Sequence, residues 1–171
     1  MPIALKGYIE MRIREFSGLD EETLHIIISK HYNYWSQFSP TMDLDATIEK
    51  FTNIYAANDE IPFGIAMFED TQLIGFCVFK NKCLEKYPQF FPWISSVMIF
   101  DDFRGQGYGR RLITEALKKL FAMGYSKAYL WTDQTPGFYE KMGFKFLQVV
   151  EKNEGGYGNL FCKETMIKEN E

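Results

Sequence analysis

A glycine-rich segment between an apolar strand and an amphipathic helix constrains this chain more than any other feature. The segment Arg104-Gly105-Gln106-Gly107-Tyr108-Gly109 follows the run WISSVMIF and precedes a stretch with apolar residues at helical spacing. A second apolar run, AYLWTD, comes after that helix. The strand over 92–100, the helix over 107–123 and the strand over 127–132 therefore predict a β–α–β crossover, parallel and right-handed.

The rest of the chain supplies strands and helices around this crossover. Alternating polar and apolar residues predict a first strand over 8–16. A helix capped by Ser17 or Asp20 and a second helix over 43–57 come next. Their buried faces are predicted to hold Leu24, Ile27, Ile28 and His31 in the first, and Leu44, Ile48, Phe51 and Tyr55 in the second. A hairpin turning at 70–72 precedes the crossover; a short helix ending at Gly143 and two strands follow it. We expect one α/β domain over residues 1–171 with a mixed sheet.

The glycine-rich segment has the properties of a diphosphate-binding turn. Its glycines remove side chains that would keep an anion from the backbone, and the helix that follows offers unpaired N–H groups and a positive dipole end. Arg104 and Arg110 could add charge-assisted hydrogen bonds. Arg111, Lys118 or Lys119 could bind a ribose phosphate. A glycine-rich turn that binds no ligand is the alternative interpretation.

The glycine spacing separates the classes of nucleotide ligand. A Walker loop needs Gly-x-x-x-x-Gly-Lys, but Arg110 stands five places after Gly105. A dinucleotide fingerprint, Gly-x-Gly-x-x-Gly, would also place its third glycine at Arg110. The pattern that remains is Arg-x-x-Gly-x-Gly, over Arg104, Gly107 and Gly109.

That pattern resembles the acetyl-CoA motif of the GNAT superfamily of N-acetyltransferases, Gln/Arg-x-x-Gly-x-Gly/Ala. A second motif, FYEKMGF over 138–144, is similar to the family's (Leu/Phe)-Tyr-Glu-Lys-x-Gly-Phe. The element order also resembles the family's over nearly the whole chain. The resemblance implies a three-layer fold, with a mostly antiparallel sheet whose central strands splay apart at the parallel crossover.

The resemblance further implies acetyl-CoA as co-substrate and a set of residues that hold it. The strand before the glycine loop would run alongside the pantetheine arm, and a residue after the next strand would bind the same arm. These residues are Val97, Met98, Ile99, Arg104, Gly105, Gln106, Gly107, Tyr108, Gly109, Arg110 and Thr132. Thr132 stands where some members have an Asn, and Asp133 could instead cap the short helix.

By the same resemblance, Tyr139 would be the general acid that protonates the departing thiolate. Its ordinary pKa, about 10, lies near that of a thiol, about 8.5. A core tyrosine with a satisfied hydroxyl is the alternative. No glutamate base is present where histone-type members carry one, because Trp93 occupies that position. Proton removal through water ordered by Ser95 or Ser96 is therefore expected, with Glu69 a candidate by position only.

The composition and charge of the chain limit the classes of partner that it can be expected to bind. With 19 basic and 23 acidic residues, the net charge of −4 argues against sequence-independent nucleic-acid binding. Three cysteines without metal-like spacing, no membrane-length apolar run and no signal-peptide pattern predict a metal-free cytoplasmic protein.

The expected acceptor is a primary amine of a small molecule or peptide, acetylated directly in a ternary complex, and a homodimer is possible in this family. The aromatic stretch over 31–38 is a candidate acceptor pocket, with core packing as the alternative. A non-catalytic CoA-binding module is the competing hypothesis.

Overall fold

The computed structural model describes residues 9–134 and 136–165, and in them a mixed sheet lies between two helical layers. The strands are β1 (Met11–Glu15), β2 (Phe63–Glu69), β3 (Gln72–Lys80), β4 (Trp93–Ile99), β5 (Lys127–Thr132), β6 (Lys145–Glu151) and β7 (Tyr157–Glu164). The helices are α1 (Glu21–Trp35), α2 (Leu44–Lys50), α3 (Tyr108–Ala122) and α4 (Pro136–Lys141). The predicted α/β class and the predicted element order are confirmed.

The sheet has seven strands in the order β1-β2-β3-β4-β5-β7-β6. Its pairs are antiparallel except β4 with β5, which is parallel, as the crossover predicted. The β4–β5 ladder is confined to the single pair Trp93↔Tyr129, beside a hydrogen bond of 2.9 Å from the Tyr129 N–H to the Pro92 carbonyl. Beyond that point the two strands separate, which confirms the predicted splay and leaves a gap in the middle of the sheet.

Period-two alternation along the strands gives each face of the sheet its own core. Residues of β2 and β3 such as Ile65 and Cys77 pack with α3 on one face. Their neighbours Ala66 and Phe76 pack on the other face with Phe16, α1 and the segment after α2. A third cluster, containing Leu84, Trp93, Tyr129 and Leu160, covers the half of the sheet beyond the gap. Helices therefore lie on both faces of the sheet, and the gap opens between two separately supported halves.

Local hydrogen bonds adjust the predicted boundaries of the first half. The first strand is Met11–Glu15 rather than 8–16, because the chain turns at Phe16; residue 8 lies outside the described residues. Asp20, not Ser17, caps α1, accepting the Thr23 N–H at 2.7 Å. The predicted inner face of α1, formed by Leu24, Ile27, Ile28 and His31, is buried as expected.

The second predicted helix, 43–57, is α-helical only as far as Lys50. It continues as a π-helical turn over Phe51–Tyr55, which buries Phe51 and Tyr55 against the sheet. Asp43 caps α2 by accepting the Ala46 N–H at 2.8 Å. Leu44, predicted on the buried face, is instead 42% exposed, because it occupies the first helical position at the open end of α2.

Candidate active site

The glycine-rich loop forms an open turn at the start of α3. Gly105 and Gly107 have φ of 75° and 84°, a left-handed conformation that side chains with a Cβ rarely adopt. The first intrahelical hydrogen bond runs from the Arg111 N–H to the Gly107 carbonyl at 3.2 Å. The N–H groups of the preceding residues, Tyr108 to Arg110, thus lack intrahelical acceptors and lie at the positive end of the helix dipole.

The structure adds a conformational reason for glycine in this loop. A Cβ on Gly105 or Gly107 would have no protein atom within 4 Å, so backbone conformation requires glycine there and the space beside the loop is free. A Cβ on Gly109 would lie at an ordinary 3.6 Å from Phe138 Cζ. The loop is therefore an open cradle whose size and donor groups suit a diphosphate.

Two of the predicted basic residues lie at this cradle and three do not. Arg104 and Arg110 line the cavity beside it. The Arg104 guanidinium donates to the Ile99 carbonyl at 2.9 Å and pairs with Asp101 at 3.1 Å, so it fixes the end of β4. Lys119, predicted as a phosphate ligand, pairs instead with Glu15, and Arg111 and Lys118 both contact Glu115, because their helical positions turn them away from the cavity. Gln106 does not line the cavity either; its side-chain amide donates to the Asp102 carbonyl at 3.4 Å.

The strand β4 presents an unpaired edge to the gap. The Phe100 N–H donates to the Ile74 carbonyl at 2.9 Å on the β3 side. Because successive N–H groups of a strand point to opposite sides, those of Val97 and Ile99 point into the gap. A register shift at Ser96, whose φ is +52°, interrupts the β3–β4 ladder just before this edge. Val97, Met98 and Ile99 all line the cavity.

Tyr139 lies on α4 across the gap from this edge. Its half-buried ring packs against Phe144 and Phe161, with centroids at 5.7 and 6.1 Å, and it lines the cavity. Burial raises the pKa of Tyr139 to about 12, so the phenol is protonated throughout the neutral range. Tyr139 therefore brings a protonated phenol to the wall of the cavity.

His31, expected on the inner face of α1 and within the candidate pocket stretch 31–38, reaches the cavity. Its Nε2 lies 3.1 Å from the Ser96 hydroxyl, while Nδ1 is buried without a hydrogen-bond partner. A buried N–H without a partner costs more than a bare ring nitrogen, so the favoured tautomer carries its proton on Nε2 and donates it to Ser96. Burial first, then the charges of Lys80 and Lys50, lowers the pKa of His31 to about 3. The imidazole is neutral, and its 65-residue separation from Ser96 explains why no local sequence pattern reveals the contact.

The remaining candidates divide between the cavity and other sites. Thr132 lines the cavity, but its hydroxyl already donates to the Gln134 carbonyl at 2.7 Å. The Asp133 carboxylate pairs with Lys152 at 2.8 Å. The residue directly before α4, 135, lies outside the described residues, so capping by Asp133 stays a prediction. Ser95 lines the cavity. Glu69 does not, and it accepts the Tyr108 hydroxyl at 2.5 Å, a hydrogen bond that raises the pKa of Tyr108.

A single cavity of about 1190 Å³ joins these parts through the gap in the sheet. On one face it is bounded by the glycine loop and α4, and on the other by α1, α2 and the turn that follows α2. His31, Tyr34, Trp35 and Phe38 of the aromatic stretch form part of the second wall. The cavity therefore has room for two ligands that meet at β4.

Residues 9–134 and 136–165 contain neither a candidate metal site nor a candidate membrane span. No three His, Cys, Asp or Glu side chains in these ranges converge as metal ligands would. No helix in the same ranges has the length and apolar character needed to cross a bilayer.

Comparisons with known proteins place this geometry in a family. The model of the acetyltransferase (GNAT) family matches residues 21–144. A crystal structure of an aminoglycoside 6'-N-acetyltransferase complexed with coenzyme A superposes with a TM-score of 0.71 at 15% identity, covering 93% of this chain and 99% of that one. An aminoglycoside 6'-acetyltransferase type Ii gives 0.67 at 19% identity, covering 90% and 96%.

A further neighbour, from Desulfovibrio desulfuricans, is a structure described as a member of the same family. It gives a TM-score of 0.67 at 13% identity, covering 91% of this chain and 99% of that one. No curated protein sequence matches significantly. At these identities the structural neighbours establish the fold, while the family model covers most of the chain. The chain belongs to the GNAT family of acetyltransferases.

Proposed function

We propose that this chain is an N-acetyltransferase that moves the acetyl group of acetyl-CoA to a primary amine of a small molecule or peptide, in a ternary complex. The observation that carries the proposal is the single cavity through the sheet, because it brings the open glycine cradle, the unpaired edge of β4 and Tyr139 together. The coenzyme A named for one structural neighbour supports the same ligand class. The acetyltransferase domain is proposed to comprise residues 1–171.

The cradle residues would bind the diphosphate of the coenzyme. The N–H groups of Gly107, Tyr108, Gly109 and Arg110 would donate to its oxygens, with Arg110 adding charge. The N–H of Ile99, nearer the cradle, would donate to a pantetheine amide carbonyl and that of Val97 to the thioester carbonyl, so that the arm takes the place of a missing strand. The Thr132 hydroxyl donates to the Gln134 carbonyl and accepts the Gln134 N–H, so toward the arm it would offer its remaining lone pair as an acceptor. The open space beside Gly105 and Gly107 fits this assignment.

Tyr139 would hold the proton that the departing sulfur takes up. The thioester supplies an activated acyl group, and the gap-facing N–H of Val97 would polarise its carbonyl oxygen. The acceptor amine must lose a proton, and the neutral His31, with a pKa of about 3, is too weak a base to take it. A water bound by Ser95 and Ser96 would carry this proton away. None of the cysteines is in a nucleophilic setting: burial raises the pKa of both Cys77 and Cys83, which fits direct transfer.

A non-catalytic CoA-binding module is the second candidate. It is favoured by the engagement of the carboxylates that line the cavity, since Asp43, Asp133 and Glu154 each already accept hydrogen bonds or pair with a cation. Turnover distinguishes the two candidates. For either, we propose a cytoplasmic setting, in which the free thiols of Cys77, Cys83 and Cys162 stay reduced.

The experiment that tests the coenzyme site is calorimetric titration with acetyl-CoA, CoA, ATP and NADH. We expect selective binding of the CoA species, and we expect Gly107→Ala to weaken it at least tenfold, because a Cβ would enter the cradle and disfavour the φ of 84°. Gly124→Ala is the matched control: its φ is 97°, its Cβ site is equally open, and it lies at the far end of α3. Equal CoA affinities in the two variants, or no CoA binding by the unaltered protein, would reject the proposal.

A further inference from the structure

The part of the cavity lined by α1 and α2, the acceptor half, also contains two lysines, Lys80 and Lys50. Neither has a role in the acetyl transfer proposed above. Lys80 ends β3, where it pairs with Trp93 at the start of β4. By alternation it points to the same face as Phe76 and Val78, toward α1 and α2, and it lines the cavity. Lys50, the last residue of α2, lines the same wall, its Nζ 5.8 Å from the Tyr55 ring centroid. Both lysines line the same cavity as His31, and their charges lower the pKa of His31 further after burial.

Neither ammonium group has an anionic partner in the part of the chain that the structure describes. No carboxylate of residues 9–134 and 136–165 lies within ion-pair distance of Lys50 or Lys80. The carboxylates that share the cavity wall are used elsewhere. Asp43 caps α2, and Glu154 accepts the Ser39 and Thr41 hydroxyls.

The charged ammonium group of Lys80 lies in a partly buried position, where a charge costs free energy. The side chain is partly buried at the end of a strand, beside the buried Leu84 and the half-buried Cys83. Burial lowers its pKa, Cys83 opposes that change, and Lys50 lowers it further. An ammonium group withdrawn from water without a counter-charge is destabilised, and a bound anion removes that cost.

The diphosphate of the coenzyme is too far away to be this anion. Lys80 pairs with the first residue of β4, whereas the cradle follows the last, Ile99. At ~3.3 Å per residue, the length of β4 separates the two sites by roughly 20 Å. An anion bound at Lys80 would therefore belong to the other substrate, in the part of the cavity lined by α1 and α2.

Resting on the acetyltransferase function proposed above, we infer that the acceptor is an amine that also carries a carboxylate, bound by Lys80 with Lys50. The aromatic walls formed by Tyr34, Trp35 and Phe38 suit an acceptor with an apolar or aromatic body between its amine and its carboxylate. Two cations in this wall disfavour polycationic acceptors. The chain would differ in this respect from the structural neighbours named as aminoglycoside acetyltransferases.

The test compares acceptors that differ only in the anionic group. Initial rates with saturating acetyl-CoA are measured for para-aminomethylbenzoate against para-aminomethylbenzamide, for phenylalanine against phenylalaninamide, and for tobramycin. We expect kcat/KM to favour the carboxylate of at least one pair by tenfold or more, a ratio typical of one charge-assisted hydrogen bond. Tobramycin is expected to be the poorest acceptor.

Variants of Lys80 test whether this residue causes the preference for a carboxylate acceptor. Lys80→Met should lower kcat/KM for the preferred carboxylate about tenfold or more and leave its amide within twofold, while Lys80→Arg should keep the preference because it keeps the cation. Lys82→Met, on an exposed lysine that pairs with Glu85, should change neither. Equal losses for acid and amide, or amides and tobramycin acetylated as well as the acids, would overturn the inference. A wild-type protein that acetylates the amides or tobramycin but neither acid would overturn it too, with the coenzyme site intact. Binding of acetyl-CoA without acetylation of any acceptor would favour the non-catalytic module and would mean that the proposed function had failed. Absence of acetyl-CoA binding would mean that the proposed function had failed first.

Discussion

Tyr139 contributes to this molecule through two separable parts, a ring that packs and a hydroxyl that faces the cavity. The ring is fixed by Phe138, Phe144 and Phe161, with interactions that a phenylalanine would keep. The hydroxyl, with its pKa raised to about 12 by burial, remains protonated at any pH at which the enzyme would be assayed. Stability and catalysis should therefore respond differently to its removal.

We expect Tyr139→Phe to lower kcat by about 10²–10⁴-fold, the usual range for loss of a general acid. Affinity for acetyl-CoA should stay within twofold and the melting temperature should be unchanged, because ring packing is kept. Steady-state kinetics, calorimetry and thermal unfolding measure the three quantities. Tyr125→Phe, which removes a hydroxyl from a ring packed on Phe91 outside the cavity, is the control. An unchanged kcat would exclude Tyr139 as the acid.

The lowered pKa of His31 predicts how the free energy of unfolding depends on pH. Burial holds its pKa at about 3 in the folded protein, against 6.5 ordinarily, so between these values the unfolded chain binds more protons. The neutral His31 thus contributes fully above pH 6.5, and stability falls as pH drops, by at most ~1.4 kcal/mol per unit. Replacement by phenylalanine, which stays neutral, should flatten this decline between pH 6.5 and 4.5.

Urea unfolding at a series of pH values measures that slope. Hydrogen bonds lower the pKa of Glu10 and Asp20 in the folded protein, so these two groups reduce stability only as pH falls through their ordinary values of 4.5 and 3.8, at and below the lower edge of the window. His25→Gln, on an exposed histidine of the same helix, should leave the decline as it is in the wild type. A decline equally steep in His31→Phe would show that another group is responsible.

At the scale of elements, the position of β4 depends on a close approach by β3. A Cβ on Gly75 would lie 2.4 Å from the Met98 carbonyl oxygen and 2.8 Å from Ile99 Cδ1. A backbone oxygen cannot rotate away as a side chain can, so the strand itself would have to move. Glycine at this position therefore sets the strand that leads into the cradle.

Gly75→Ala should reduce the free energy of unfolding by about 2–3 kcal/mol, as overpacking of a core does. It should also weaken acetyl-CoA binding, because the displaced strand carries Val97 and Ile99. Urea unfolding and calorimetry check the two effects. Gly18→Ala is the control, since its added Cβ would meet only the Arg14 guanidinium, at 3.8 Å. A stable Gly75→Ala protein with normal affinity would contradict this account of β4.

The sequence predicts those structural elements whose causes lie in neighbouring residues, and it fails for those that depend on packing between distant segments. The crossover and the glycine loop depend on periodicity and on residues that adjoin one another, and the predicted strands, α3 and the parallel pair are confirmed. The π-helical turn at Phe51, the positive φ of Ser96 and its contact with His31 depend on packing between distant segments. The roles of the cradle residues and of Tyr139 remain predictions, because they concern ligands rather than the fold.

At the scale of the whole molecule, the sheet is two half-sheets joined at one end. The strands β1 to β4 form one half and β5, β7 and β6 the other, linked by the single pair Trp93↔Tyr129. The core under α3 takes residues from both, such as Ile94 and Phe161, and keeps the halves aligned while the gap stays open. The opening is therefore a built feature of the fold, maintained by packing on either side of it.

The gap should also determine how fast the backbone amide hydrogens of β4 exchange with solvent. Amides of β4 that point toward β3, such as that of Met98, are locked in the ladder, whereas those of Val97 and Ile99 point into the gap and lack a strand partner there. In deuterated water we expect the first kind to exchange slowly at all times, and the second kind to exchange rapidly until acetyl-CoA is added. Amide-resolved NMR or fragment mass spectrometry measures both, and equal protection with and without acetyl-CoA would contradict the expectation. The missing strand would then appear as an alternating pattern of protection along β4 that becomes uniform when the coenzyme arm completes the sheet.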